Sequence, residues 1–363
     1  MQLSHLALGA FVVSSFLLQG SPGGDPQFDR GRDLFDRAFT LAEGLGSPEM
    51  NGDSCRACHQ DPSIGGAGPL EVNVTRFAND NGGAGPFTNL TGGPVASKLF
   101  PPSVHGREEY PVGPGGADVF EQRQTPSTIG HGMIDQIPAA VIVANEDIFD
   151  ADGDGIFGVA RQINIAGELE VGRFGWKAQI PRLEDFVHDA MFGELGLTTP
   201  DDGRGFSGFT DNDSVPDPEV TQEQIEDITH FMAMLPPPAR GGSTDPAVEQ
   251  GLKTFHSIGC AKCHTPSLQS PVGPVPLFSN LLLHDVMPPG FRGMDEPGAS
   301  VGLFRTPPLW GIKDTAPYMH DGRAEDLRGA ILAHFSEAEA VRQNFEDLTP
   351  EQQEALILFL KDL

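Results

Sequence analysis

The sequence predicts a mainly helical fold with long loops, built as two similar halves. Three observations point there. Capping signatures open several amphipathic stretches, few segments alternate with period two, and one short frame of motifs occurs twice in the same order.

The frame begins with G-x-x-x-F on a helical pattern, at Gly31–Phe35 and again at Gly251–Phe255. It ends with a T-P-x-x-x-G turn, at Thr125–Gly130 and Thr306–Gly311, each with an arginine just before it (Arg123, Arg305). Between the halves runs Leu235–Gly242, whose Pro236-Pro237-Pro238 stops helices by removing backbone donors. The expected domains are therefore 25–240 and 241–363. Thr221-Gln222-Glu223-Gln224 fits a capping box opening the helix that the prolines stop. Thr349-Pro350-Glu351-Gln352 opens the C-terminal helix in the same way, with proline at the first helical position. Further helices are expected near 181–194, 246–257 and 325–336.

Residues Leu6–Leu18 form an apolar run that is too short for a bilayer, which needs about 20 residues. The run matches the central region of a secretory signal, so residues 1–20 are expected to be a signal peptide directing export to a periplasm. The competing reading is a short buried helix, because Met1–His5 carries no Lys or Arg and no A-x-A site follows. No later stretch reaches transmembrane length, so no stable membrane insertion is expected.

All four cysteines stand in two copies of C-x-x-C-H, Cys55–His59 and Cys260–His264. A redox dithiol does not require the histidine. A shared zinc ribbon needs the pairs closer together, and two disulfides leave both histidines unexplained. Covalent haem c attachment explains every residue: two thiols add across the two vinyl groups, and His59 or His264 ligates iron. The halves then become two cytochrome c-like haem domains. Each haem supplies an apolar plate around which a chain of 45 Gly and 32 Pro can wrap its loops.

The surrounding residues resemble the bacterial di-haem cytochrome c peroxidase superfamily, which includes the enzyme that matures methylamine dehydrogenase. The resemblance rests on the two C-x-x-C-H motifs and on Pro317–Arg323, containing His320-Asp321-Gly322. Asp150–Ile156, Gly172–Ala178 and Leu281–Asp285 look like its branch of di-haem oxidoreductases, once labelled thiol oxidoreductases. The likeness runs from about residue 28 to the end.

The resemblance implies a second iron ligand fourteen residues after His320, which is His334, with Met287 and Met319 as runners-up. It leaves the N-terminal iron with His105 or His131, or with an open position that accepts peroxide. The family's catalytic glutamate is replaced by Asp135, for which helix capping is the competing role. A tryptophan relays electrons between haems in better-known relatives. Phe120 stands near that position here, and Trp176 or Trp310, with Trp310 preferred, is the substitute.

Asp150, Asp152 and Asp154 alternate with glycines as calcium loops do, although an EF-hand count from Asp150 places Arg161 at its twelfth position. A solvated acidic turn is the alternative; the superfamily's inter-domain calcium favours binding. The net charge of −28 argues against a nucleic-acid partner and suits a small basic redox protein as electron donor. Together these expectations describe a periplasmic di-haem oxidoreductase of the peroxidase type, passing electrons from the C-terminal haem to a peroxide-reactive N-terminal haem. The alternatives are a non-enzymatic electron-transfer cytochrome and an oxidant of protein side chains.

Overall fold

A computed structural model describes residues 24–46, 50–88, 95–96, 116–211 and 213–363. The expected signal peptide and His105 lie outside them. The helices are α1 (Pro26–Asp36), α2 (His131–Asp135), α3 (Ala139–Val143), α4 (Leu183–Leu195), α5 (Gln222–Ala233), α6 (Pro246–Ser257), α7 (Leu327–Leu332), α8 (Glu339–Glu346) and α9 (Pro350–Asp362). The four expected from capping or periodicity alone (α4, α5, α6 and α9) match within two residues. The stretch expected to be helical to 336 stops at Leu332, where the Ala333 amide turns back to Gly329 and Ala330.

The repeated frame is longer than the sequence motif indicated. Both α1 and α6 open on Asp-Pro, with Asp25 and Asp245 accepting amides of the first turn. Each packs across a helix opened by a threonine capping box, α1 on α5 and α6 on α9. The glycines are the crossing points. A Cβ on Gly31 would stand 1.9 Å from the Asp227 carbonyl oxygen, and one on Gly251 would stand 2.0 Å from that of Ala355. One turn on, Phe35 meets Phe231 at 5.2 Å between ring centroids, and Phe255 meets Phe359 at 5.3 Å. Asp227 and Phe231 follow Thr221 at the same intervals at which Ala355 and Phe359 follow Thr349. Four spacings therefore recur in the same order, a duplication of the helix-pair frame within the chain.

Two apolar cores result. One centres on α1, α4 and α5; the other centres on α6 and α9. The first extends beyond residue 240, taking in Leu268, Val275, Leu277, Leu281, Leu282 and Trp310. The Pro-rich connector is tied down where Arg240 pairs with Asp362 at 2.8 Å and the Gly241 amide donates to its carbonyl.

The strands are short. β1 (Val74–Ala78) lies between β2 (Val95–Ala96) and β3 (Val119–Arg123), all antiparallel. Three two-stranded ribbons follow: β4 (Gln162–Ile165) with β5 (Glu168–Val171), β6 (Leu268–Ser270) with β7 (Gly273–Val275), and β8 (Leu283–Asp285) with β9 (Leu303–Arg305). β3 alternates in burial, but its inward face is Val119, Glu121 and Arg123. Arg123 pairs with Glu121, while Glu296 gathers Arg76 at 2.5 Å, Arg161 at 2.9 Å and Arg123 at 3.4 Å. A strand whose buried face is charge-paired gives no apolar alternation to read.

Candidate haem centres

Both C-x-x-C-H turns are set against their Gly-Phe helix. The Cys55 carbonyl accepts the amides of Cys58 and His59, and that of Cys260 accepts the amide of His264 at 3.0 Å. Phe35 lies 6.2 Å from the His59 ring and Phe255 lies 6.5 Å from that of His264. No disulfide joins the cysteines. Burial pushes the Cys55 and Cys260 thiols up to about 12, the reverse of a reactive dithiol.

The histidines are arranged as metal ligands are. His59 Nδ1 donates to the Gly66 carbonyl at 3.1 Å and His264 Nδ1 donates to that of Phe278 at 3.0 Å. A carbonyl can only accept, so each Nδ1 carries the proton and each Nε2 is left with a lone pair. Burial lowers both rings to about 4, keeping them neutral near pH 7. His334 repeats the device, with Nδ1 donating to the Ala330 carbonyl at 2.7 Å. It stands on the turn after α7 rather than inside a helix, because its own side chain takes up a terminal carbonyl. His264 and His334 line one cavity of about 260 Å³, together with Cys260, Cys263, Met287 and Met319.

That cavity reaches into the first half. His131, at the start of α2, is buried, has no hydrogen-bond partner at Nδ1 among the described residues, and lines it. Burial, Arg305 and His59 lower its ring to about 3. Trp176 and Trp310 also line it. The Trp176 indole donates to the Gln124 carbonyl at 2.7 Å, and Trp310 packs on Gly130, where a Cβ would meet its ring at 2.5 Å. Phe120 instead points outward from β3, 46% exposed.

Asp135 lies outside the cavity lining. Its carboxylate accepts the Leu183 amide at 3.0 Å, capping α4 rather than the turn before Ile137, and burial raises its pKa. His320, used in the sequence only as a counting origin, is the residue that sequence reasoning missed. It is 2% exposed, lines the cavity, and neither ring nitrogen has a partner among the described residues. Its ring stacks on Phe304 at 3.9 Å and meets Trp176 edge-on at 6.5 Å. Its carbonyl accepts the Gln124 amide, and Asn73 donates to the Asp321 carbonyl, so the His-Asp-Gly turn sits on the first half. Burial lowers His320 to about 3.

Arg305, also in the wall, is buried with only carbonyl partners, Gly175 at 2.9 Å and Thr306 at 3.4 Å. A buried guanidinium without a carboxylate suits an anionic ligand. Thiols, neutral imidazoles with free Nε2 atoms, apolar walls and an unpaired arginine together fit a haem and its propionates.

In the acidic loop, the carboxylates within 4.8 Å of one another are those of Asp147, Asp150 and Asp152. Asp154 instead pairs with Lys262, between the second pair of cysteines.

A family model described as "Di-haem oxidoreductase, putative peroxidase" matches residues 117–363. No curated protein matches the chain. Among solved structures, hydrazine synthase of Kuenenia stuttgartiensis aligns at 17% identity over 94% of this chain and 89% of that one, with TM-score 0.46. A MauG-like protein associated with microbial copper homeostasis aligns at 17% over 93% and 89%, with TM-score 0.47. The diheme peroxidase BthA from Burkholderia thailandensis E264 aligns at 17% over 93% and 86%, with TM-score 0.46.

Proposed function

Since the chain belongs to the di-haem oxidoreductase family, we propose that it is a periplasmic peroxidase that takes in electrons at its C-terminal haem and spends them at its N-terminal one. Cys55 and Cys58, and Cys260 and Cys263, would hold haem c, with His59 and His264 to ligate iron, one haem in each of two cytochrome c-like halves. The observation that carries the reading is the pairing of His264 and His334 in one cavity, each with Nδ1 held by a carbonyl and Nε2 free. A site with two such imidazoles favours electron transfer over chemistry.

Bound haem supplies the redox-active iron. The protein's own residues do the rest. The Gly66, Phe278 and Ala330 carbonyls fix the tautomers of His59, His264 and His334. Arg305 is placed to receive carboxylates. His320, neutral and buried, is placed to hold or pass a proton at a ring nitrogen, a role that Asp135 fills less well while it caps α4. Trp176 and Trp310, in the wall of the cavity that holds His264 and His334, are candidate relays. The trio Asp147, Asp150 and Asp152 is the set that would hold calcium.

A second reading, an electron-transfer cytochrome, draws on His131, whose unpartnered ring could close the N-terminal iron. Peroxide turnover by the reductively activated holoprotein separates the two. Turnover with a high-spin signal is expected; its absence, with both irons low-spin, leaves the cytochrome.

A further inference from the structure

We propose that the loop Asp147–Gly158 is the docking surface for a basic electron-carrier protein, seated over the second C-x-x-C-H turn; this rests on the di-haem reading above. Val143, Ile148, Phe149 and Phe157 are 38%, 48%, 84% and 42% exposed. The Asp147 amide donates to the Phe157 carbonyl at 3.0 Å, which closes the loop and brings Phe157 beside Asp147.

The inner side of the same loop reaches the haem cavity. Ile156 is part of its wall. The Phe157 amide donates to Glu337 at 2.9 Å, and Glu337 also accepts from His284, which lies 3.6 Å from Cys263 Sγ. A Cβ on Gly158 would stand 2.9 Å from the His284 ring. Asp154 pairs with Lys262 inside the motif. An exposed apolar tip is thus joined through a few residues to the second haem turn.

Charge identifies the occupant. Residues 146–160 hold Glu146, Asp147, Asp150, Asp152 and Asp154 and no Lys or Arg. Among the described residues, the cation that pairs with the loop is Lys262, already engaged by Asp154. Exposed apolar groups with an anionic rim complement a protein whose redox centre is ringed by lysines, and the rim repels an anionic membrane. In the encounter one electron leaves the partner's reduced metal centre and enters the C-terminal haem. No bond forms and no proton moves.

The test follows electron transfer from ferrous cytochrome c to the holoprotein by stopped flow, in chelator-treated buffer. Phe149→Ser is expected to lower the second-order rate constant about tenfold, and Phe149→Leu about twofold or less. Lysine-acetylated cytochrome c, or high salt with the native probe, lowers it similarly. Reduction by ascorbate is expected to be the same in all variants. An unchanged rate for Phe149→Ser, or an acetylated probe that reacts as fast as the native one, overturns the surface. A pyridine haemochrome assay run alongside separates the two claims: two haems with an unchanged rate reject only the docking surface, while any other haem count rejects the di-haem reading itself.

Discussion

The two helix-pair frames share one set of spacings, yet the turns they carry face different surroundings. Around the second turn, His264, His334, His284 and Glu337 each have a hydrogen-bond partner. Where the His-Asp-Gly turn of the C-terminal half meets the first half, His131 Nδ1 and both ring nitrogens of His320 lie buried without a hydrogen-bond partner among the described residues. A buried polar group without a partner costs about 1–3 kcal/mol, so such a pair is maintained only where something else is served. Two frames of the same spacing thus carry turns whose neighbouring polar groups differ.

The largest expected effects break both halves alike. The double variants Cys55→Ala/Cys58→Ala and Cys260→Ala/Cys263→Ala should each lose covalent attachment at one site, which denaturing gels stained for haem detect as a halved signal. The next separates the halves: His334→Ala should turn the C-terminal iron high-spin and leave the N-terminal signal in place. Both frames are then compared through their crossing points. Gly31→Ala and Gly251→Ala should each destabilise the chain by about 1–3 kcal/mol in denaturant melts, because the added Cβ meets a carbonyl. A large effect at one and none at the other would contradict the duplication.

A further expected effect is acid sensitivity through His320. Its folded pKa, about 3, lies below the ordinary 6.5. Between those values the unfolded chain binds the extra proton, so stability rises with pH and is lost on acidification. The slope is at most about 1.4 kcal/mol per pH unit and should flatten in His320→Gln.

Much of this was legible in the sequence because it is local. C-x-x-C-H, the threonine capping boxes and the proline stop each act within a few residues, and the structure keeps them where the spacing put them. The second Asp-Pro start was equally local, and comparing Asp25–Phe35 with Asp245–Phe255 residue by residue would have found it. What the sequence hid is long-range. β3 escaped notice because Glu121 and Arg123 are buried by partners that include Glu296. His320 could not be distinguished from its motif because its importance comes from lacking partners. Asp154 and Asp147 exchanged places in the acidic cluster because Lys262 draws Asp154 away.

The most direct test of the division between halves is electron paramagnetic resonance of the holoprotein before and after one-electron reduction, with peroxide then added. The account predicts a low-spin C-terminal iron with two imidazole ligands, lost in His334→Ala, and an N-terminal iron that shows a high-spin component and reacts with peroxide. Two low-spin signals that persist through reduction, with no reaction on adding peroxide, would contradict it.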